Sequence, residues 1–294
     1  MLAVQFIGTL PELYMSSHDL TPEQLEFFDT FGFLALPGAL ADSIAEITAA
    51  FDEIWATRGD GHDGKAHDPT QRSCIVPFID QHERLCALLE EPCIHGLLCS
   101  LLGNNFNYLG SDGNYYAGDT VWHSDGWHPV LRYVKIALYL DPLRRDTGCL
   151  RVIPGSHNTG DTYSEKLEQI IRRKKPLLWG VEGKDLPAIA LETDPGDVLV
   201  FNHNLKHAAF GGDPRRRMFT INCSQRFPDD QISELKDYIA HSARFWLDRV
   251  YGETMMATAN AQRLVHLEQA MANDGHLPAL AAKAREEMTE PARG

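Results

Sequence analysis

No C-x-x-C pair occurs in this chain, and its six cysteines (Cys74, Cys86, Cys93, Cys99, Cys149 and Cys223) follow neither a zinc-site nor a disulfide-framework spacing. Reduced, mostly buried thiols are expected instead. Positive charge is scarce: 27 Lys and Arg stand against 41 Asp and Glu, a formal net charge of −14. That balance excludes the cationic footprint of a sequence-independent nucleic-acid binder. An uninterrupted apolar run of roughly 18–20 residues is also missing, so no membrane span is expected. The opening Met1-Leu2-Ala3-Val4-Gln5-Phe6-Ile7 has neither the basic start nor the long apolar stretch of a secretory signal. These absences predict a cytoplasmic protein that handles a small molecule, with no nucleic acid and no membrane as partner.

What is there reads as a single domain over 1–294. Thr21-Pro22-Glu23-Gln24 predicts a helix start: Thr21 caps, Pro22 suits the first turn and Gln24 completes a capping box. That helix ends near Gly32, before a short apolar strand Phe33-Leu34-Ala35-Leu36. Ile44, Ile47, Phe51 and Ile54 predict a second helix from about Ala41 to Trp55, and a third runs from about Glu83 to Leu102. Residues 58–72, rich in Gly, Asp and His, read as a loop.

The period then changes. Short apolar or alternating segments recur near 105–109, 114–117, 119–123, 132–140, 149–153, 188–192, 197–202 and 217–225, which predicts a sandwich or barrel. Beyond Pro228, helices return near 231–251, 258–273 and 278–288, Ala-rich and suited to a packing surface or a homodimer contact.

The chemistry gathers around Trp122-His123-Ser124-Asp125. A histidine and a carboxylate two positions apart on an extended strand point to one face. They can supply two ligands of a 2-His-1-carboxylate triad, which leaves positions open on a non-haem iron. Alone, His123 would read as a core histidine and Asp125 as a turn cap ahead of Gly126. His207, at the end of the buried strand Val198-Leu199-Val200-Phe201, can complete the triad. Arg215-Arg216-Arg217 opens the next strand, where an arginine can grip a carboxylate bidentately.

In order and spacing, these blocks resemble the phytanoyl-CoA dioxygenase family of Fe(II)/2-oxoglutarate oxygenases. The resemblance spans roughly Leu20 to Arg226. It rests on the Thr21-Pro22-Glu23-Gln24 … Gly32-Phe33 … Pro37-Gly38 opening, on Trp122-His123-Ser124-Asp125, and on Gly148-Cys149-Leu150-Arg151-Val152-Ile153-Pro154-Gly155-Ser156-His157. Gly196-Asp197-Val198-Leu199-Val200-Phe201, His207 and the arginine strand complete it. The resemblance implies a mostly β fold with flanking helices. Its double-stranded β-helix (jelly-roll, cupin-like) core would cover 105–226, with helical support over 1–104 and helices over 227–294.

It further implies Fe(II) held by His123, Asp125 and His207, with 2-oxoglutarate and O2 as co-substrates. Arg216 would anchor the far carboxylate of the keto acid, since period two sets it on one face with Thr220 and Asn222; Arg215 and Arg217 are the alternatives. Thr220 and Asn114 are expected near the co-substrate, and Trp127 and Tyr116 on the substrate wall. His203 is a rival to His207, His128 a pocket or surface residue, and His157 mainly structural.

Residues 158–187 form an insertion with its own helix, Ser164 to Arg173, of a kind expected to cover the substrate mouth. Its run Arg172-Arg173-Lys174-Lys175 reads first as a solvated helix C-terminus, and alternatively as an attractor of anionic substrates. The expected reaction is C–H hydroxylation coupled to oxidative decarboxylation of 2-oxoglutarate. The same iron site also serves desaturation, cyclisation or epoxidation in natural-product biosynthesis, and the barrel alone serves non-oxygenase cupin-like metal proteins. Asp125 argues against halogenation, for which a small residue replaces the carboxylate.

Overall fold

A computed structural model describes residues 18–173 and 177–294. Met1–Ile7, and Lys174 and Lys175 of the basic run, lie outside the described residues. The first half of the chain gives α1 (Pro22–Phe31), β1 (Phe33–Leu36), α2 (Ile44–Thr57), β2 (Ser73–Ile75), α3 (Glu83–Cys86), α4 (Pro92–Leu102), β3 (Asn107–Tyr116), β4 (Thr120–His123) and β5 (Tyr133–Tyr139). Then come β6 (Leu150–Val152), α5 (Thr162–Ile171), β7 (Leu177–Leu178), β8 (Val181–Glu182), β9 (Ile189–Leu191), β10 (Val198–Asn202), β11 (His207–Ala209) and β12 (Arg216–Ser224). The chain closes with α6 (Ile232–Ala240), α7 (Glu253–Thr258), α8 (Ala261–Met271) and α9 (Leu277–Glu287).

Two antiparallel sheets make the jelly roll. The larger has strand order β1-β10-β5-β12-β3-β2 and the smaller β4-β11-β6-β9, with β7 and β8 a separate hairpin. Alternation along each strand decides what lies between the sheets and what lies outside. On β5 and β10, Ala137, Tyr139, Leu199 and Phe201 join Leu150, Val152 and Leu191 of the smaller sheet in the inner core. Their neighbours of opposite parity, Val134, Ile136, Leu138, Val198 and Val200, pack outward under the helices. With both faces covered, Tyr133–Tyr139 is almost wholly buried, which explains its near-continuous apolar reading.

The helical support follows local rules. Thr21 and Gln24 form the reciprocal capping box of α1. The stretch Glu83–Leu102 is long and apolar enough to span a membrane by length and composition. It is instead broken at Glu90-Glu91-Pro92, where Pro92 starts α4, and its Leu85, Leu88, Leu89, Leu97 and Leu98 lie in the main core.

Several expectations need correction. Segments 105–109 and 114–117 are one ten-residue strand, β3, because its central glycines continue the ladder instead of turning. Gly113 is there for space: a Cβ on it would sit 1.9 Å from the Phe78 ring. β2, β7 and β8 were too short to show as periodic runs. The segment 231–251 is helical only to Ala240, continues as a 3-10 turn over His241–Phe245, and stops where Trp246 takes a left-handed φ of 61°. The apolar residues Met255, Leu267, Ala270 and Leu277 of α7 to α9 belong to the chain's own core, while Leu264, Val265 and Leu280 stay exposed.

The insertion departs most from expectation. Leu167 and Ile171 of α5 pack on Trp122, Ala208 and Phe210, whose parity is opposite to that of His123 and His207. The helix therefore backs the outer face of the smaller sheet. It does not cover a mouth.

Candidate functional site

β4 and β11 pair antiparallel with His123 directly opposite His207. The two rings lie 4.2 Å apart, centroid to centroid. Each ring is oriented the same way: Nδ1 of His123 contacts the Val121 carbonyl at 2.9 Å, and Nδ1 of His207 the Leu205 carbonyl at 2.9 Å. A ring that donates through Nδ1 leaves Nε2 as a free lone pair, which is how ligand histidines are usually set. Burial, followed by the neighbouring His123, pushes the His207 pKa down to about 3, so this ring stays neutral and able to bind a cation.

Asp125 does not share the strand with His123, because β4 ends at His123 and the chain leaves the sheet at Ser124. Its carboxylate nonetheless returns to the same point. One ligand atom from each of His123, Asp125 and His207 lies within 4.8 Å of the others, room for a metal ion between them. The main chain at Asp125 is exposed, but its side chain is only 15% exposed. Oδ2 faces His207 Nε2 at 3.8 Å, and Oδ1 accepts from Lys135 Nζ at 2.8 Å. Burial alone would raise the Asp125 pKa; Lys135, His207, His203 and His123 outweigh it and hold the group well below the carboxylate range.

The triad opens on an inner cavity of about 90 Å³ also lined by Arg72, Asp112, Tyr116, Lys135, Arg216 and Thr220. A larger depression, about 760 Å³ and more open, lies beside it against Asp52, Asp141, Thr147, Arg215 and Arg217, shares Arg216 with it, and holds none of the triad. The inner cavity is therefore the chemically equipped one.

Charge sorts its wall. Asp112 accepts from Arg72 at 2.8 Å, from Asn114 at 2.6 Å and from the Thr220 hydroxyl. Lys135 pairs with Asp125. Arg216, 4% exposed, has no carboxylate partner among the described residues. Its guanidinium donates to the Gly148 carbonyl at 2.6 Å and the Gly118 carbonyl at 2.5 Å, and its Nε has no partner. Burial lowers its pKa, yet a guanidinium stays charged at any ordinary pH. Gly148 makes the space: a Cβ there would lie 2.1 Å from the Arg216 Nη1.

Arg215 and Arg217 point elsewhere. Arg215 pairs with Asp60 at 2.7 Å, and Arg217 with Asp141 at 2.8 Å and Asp52 at 3.2 Å. Arg216 thus differs from its neighbours in being buried, bonded to two carbonyls and without a carboxylate partner among the described residues.

The other expected residues separate. Tyr116 is on the cavity wall, with the Arg72 and Arg216 guanidiniums 4.8 and 5.3 Å from its ring centroid. Thr220 is on the wall too, but its hydroxyl is committed to Asp112. Asn114 lies behind the wall, accepting from Arg72 Nε at 2.7 Å, so it supports the lining and is not part of it. Trp127 is away from the cavity, with the Lys206 ammonium 4.4 Å from its ring centroid.

His203 is buried beside the triad without joining its ligand atoms; burial pushes its pKa down to about 3. His128 stacks on Tyr133 at 3.6 Å. His157 contacts the Asp29 carbonyl at 3.2 Å, a packing role. Arg72, Asp112 and Lys135 escaped the sequence reading. For Lys135 a signal existed: it is the one charge inside an otherwise apolar strand.

The family model for phytanoyl-CoA dioxygenase matches residues 28–218. Among curated proteins, the dioxygenase lolE1 of Epichloe uncinata is 23% identical over 258 residues, covering 80% of this chain and 96% of that protein. Among solved structures, HygX of Streptomyces hygroscopicus with nickel and 2-oxoglutarate superposes with a TM-score of 0.57 at 18% identity, covering 71% of this chain and 88% of that one. The non-haem α-ketoglutarate-dependent carbocyclase SnoK of nogalamycin biosynthesis gives a TM-score of 0.54 at 20% identity, over 70% and 84% of the two chains. At such identities the structural likeness speaks to the jelly-roll fold.

Proposed function

The chain belongs to the phytanoyl-CoA dioxygenase family, and from that premise we propose that it is an Fe(II)- and 2-oxoglutarate-dependent oxygenase acting on a C–H bond of a small molecule. One observation carries the proposal: a metal-capable His-Asp-His set and a buried arginine without an anionic partner line the same cavity. Either alone would suit other proteins. A non-oxygenase cupin-like metal site has no use for a buried carboxylate anchor.

His123, Asp125 and His207 would hold the iron, and the keto acid would use Arg216 for its far carboxylate. Iron with the keto acid bound supplies O2 activation and oxidation of the C–H bond. The chain's residues do the rest. Val121 and Leu205 carbonyls keep each imidazole in the tautomer that frees Nε2. Lys135 holds Asp125 Oδ1, which leaves Oδ2, on the His207 side, as the oxygen that would be available to a metal. Gly148 and Gly118 carbonyls fix the guanidinium plane, and Tyr116 lies against it.

Asp125 keeps three protein ligands available, which favours oxygenation over halogenation. Hydroxylation is the default outcome. The fold shared with the carbocyclase SnoK keeps ring closure as a second reading, because the two differ in how the substrate carbon is presented.

The test is succinate formation from 2-oxoglutarate in the presence of Fe(II) and O2, followed across a panel of small molecules. Metal-dependent succinate release, lost on Arg216→Met and on His207→Ala, is expected. Absence of both 2-oxoglutarate binding and succinate would defeat the proposal.

A further inference from the structure

Behind the triad, on the outer face of the smaller sheet, a single carboxylate ties together the two segments that carry its members. Glu168 projects from α5 and is 8% exposed. Its Oε2 accepts from Lys206 Nζ at 2.6 Å and from the Ser124 hydroxyl at 3.2 Å, and its Oε1 accepts from Arg172 Nε. Ser124 stands between His123 and Asp125, and Lys206 immediately precedes His207. Neither lines the cavity, and both side chains turn instead to Glu168 of the helix.

Lys206 is fully buried, and its ammonium also donates to the Asn204 carbonyl at 2.7 Å. Asn204 in turn clasps His128, accepting from its N–H at 2.7 Å and donating to its carbonyl at 3.0 Å. The network thus runs from α5 into the loop that carries Asp125.

The main-chain ladder leaves this place underdetermined. Pairing of β11 with β4 shifts register between His207 and Ala209, and Asp125 lies beyond the end of β4. On the cavity side Lys135 holds the Asp125 carboxylate at 2.8 Å, and the Gly126 N–H donates to the His203 carbonyl at 3.2 Å; the Glu168 network adds a tie between the two segments from the other side. Burying an ion pair is expensive, and its best-attested use is to specify one arrangement over its near alternatives.

We propose that Glu168 is a positioning residue for the His123-Asp125-His207 centre, and that the insertion carrying it serves as an outer brace of the metal site. The proposal rests on the metal-binding reading above. A partner hydrogen-bonded to a metal ligand is typically worth about 10–100-fold in metal affinity; Glu168 acts one residue further out, through Ser124 and Lys206, so the lower end of that range applies. Glu168→Ala is expected to weaken Co(II) by a factor at that lower end and to alter its ligand-field absorption spectrum. Glu168→Gln, which keeps an oxygen for Ser124 and Lys206, should restore part of the affinity. Leu167→Ala, on the same buried face of α5, should lower the melting temperature and leave Co(II) affinity within about twofold.

The experiment is Co(II) titration of these variants and of His123→Ala, read by the ligand-field spectrum and by calorimetry. Wild-type affinity in Glu168→Ala overturns the proposal, as does an equal loss in Leu167→Ala, which would mean general loosening of the helix. If Glu168→Ala does not fold, the contrast between Glu168→Gln and Leu167→Ala decides in the same way. Failure of the wild type to bind Co(II), or binding undiminished in His123→Ala, would instead remove the metal reading itself.

Discussion

His123 and His207 face each other across two paired strands, and each has its Nδ1 against the carbonyl two residues earlier in its own chain segment. The arrangement is nearly symmetric, and only Asp125 reaches it from a loop. Alanine at any of the three should therefore cost more than the roughly 10–100-fold in metal affinity seen for outer-shell partners. The fold should persist, because none of the three is among the apolar residues of the core clusters. Calorimetric Co(II) titration, with circular dichroism as a check on folding, measures both halves of the statement.

Arg216 should separate from its neighbours. Arg216→Met is expected to raise the apparent Kd for 2-oxoglutarate by about 30-fold or more, since a charged group left unpaired costs on the order of 2–5 kcal/mol. Without the keto acid, the same variant should differ from wild type in stability by no more than about 1–3 kcal/mol, because relief of a buried cation without an anionic partner is offset by the loss of its bonds to the Gly148 and Gly118 carbonyls. Arg215→Met and Arg217→Met, which break outer ion pairs, should change 2-oxoglutarate binding by less than about threefold.

Gly113→Ala should destabilise the protein by about 1–3 kcal/mol, because its Cβ meets the Phe78 ring in a filled core. Chemical denaturation would show a lower midpoint with an unchanged slope. A midpoint within error of wild type would mean that the ring can step aside.

The pH dependence has a definite sign at His157. Burial pushes its pKa down to about 4, against about 6.5 in an unfolded chain. As pH falls below about 6.5, the unfolded chain takes up the proton first, so stability is full above that pH and is lost on the way down to about 4. The loss is on the order of 3 kcal/mol. In His157→Gln that loss is absent, so the stability gap between variant and wild type should narrow as pH falls from about 7 to about 4.5. Parallel denaturation midpoints across that range would count against the assignment.

The site was legible where chemistry needs a rare residue type in a fixed order. His123, Asp125, His207 and Arg216 all line the cavity, and the alternation that set Arg216 with Thr220 is the alternation of β12. The cavity's other charges were hidden because they sit on strands identified only as apolar or as loop. Arg72 precedes β2, a three-residue strand with no periodic signal, and Asp112 falls between the expected segments 105–109 and 114–117. Trp127 misled because a tryptophan near a metal motif suggests a pocket, whereas here its ring meets the Lys206 ammonium. The insertion's place was hidden for a different reason: only tertiary contact reveals which face of a sheet a helix covers.

His123 and His207 ride on the four-stranded sheet and Arg216 on the six-stranded one. On the proposed reading, the span from the two histidines to Arg216 would be set by the spacing of the two layers of a β-sandwich, about 10 Å. Such a gap acts as a ruler. Keto acids one carbon shorter than 2-oxoglutarate would fall short of the arginine, and those one carbon longer would have to buckle between the sheets.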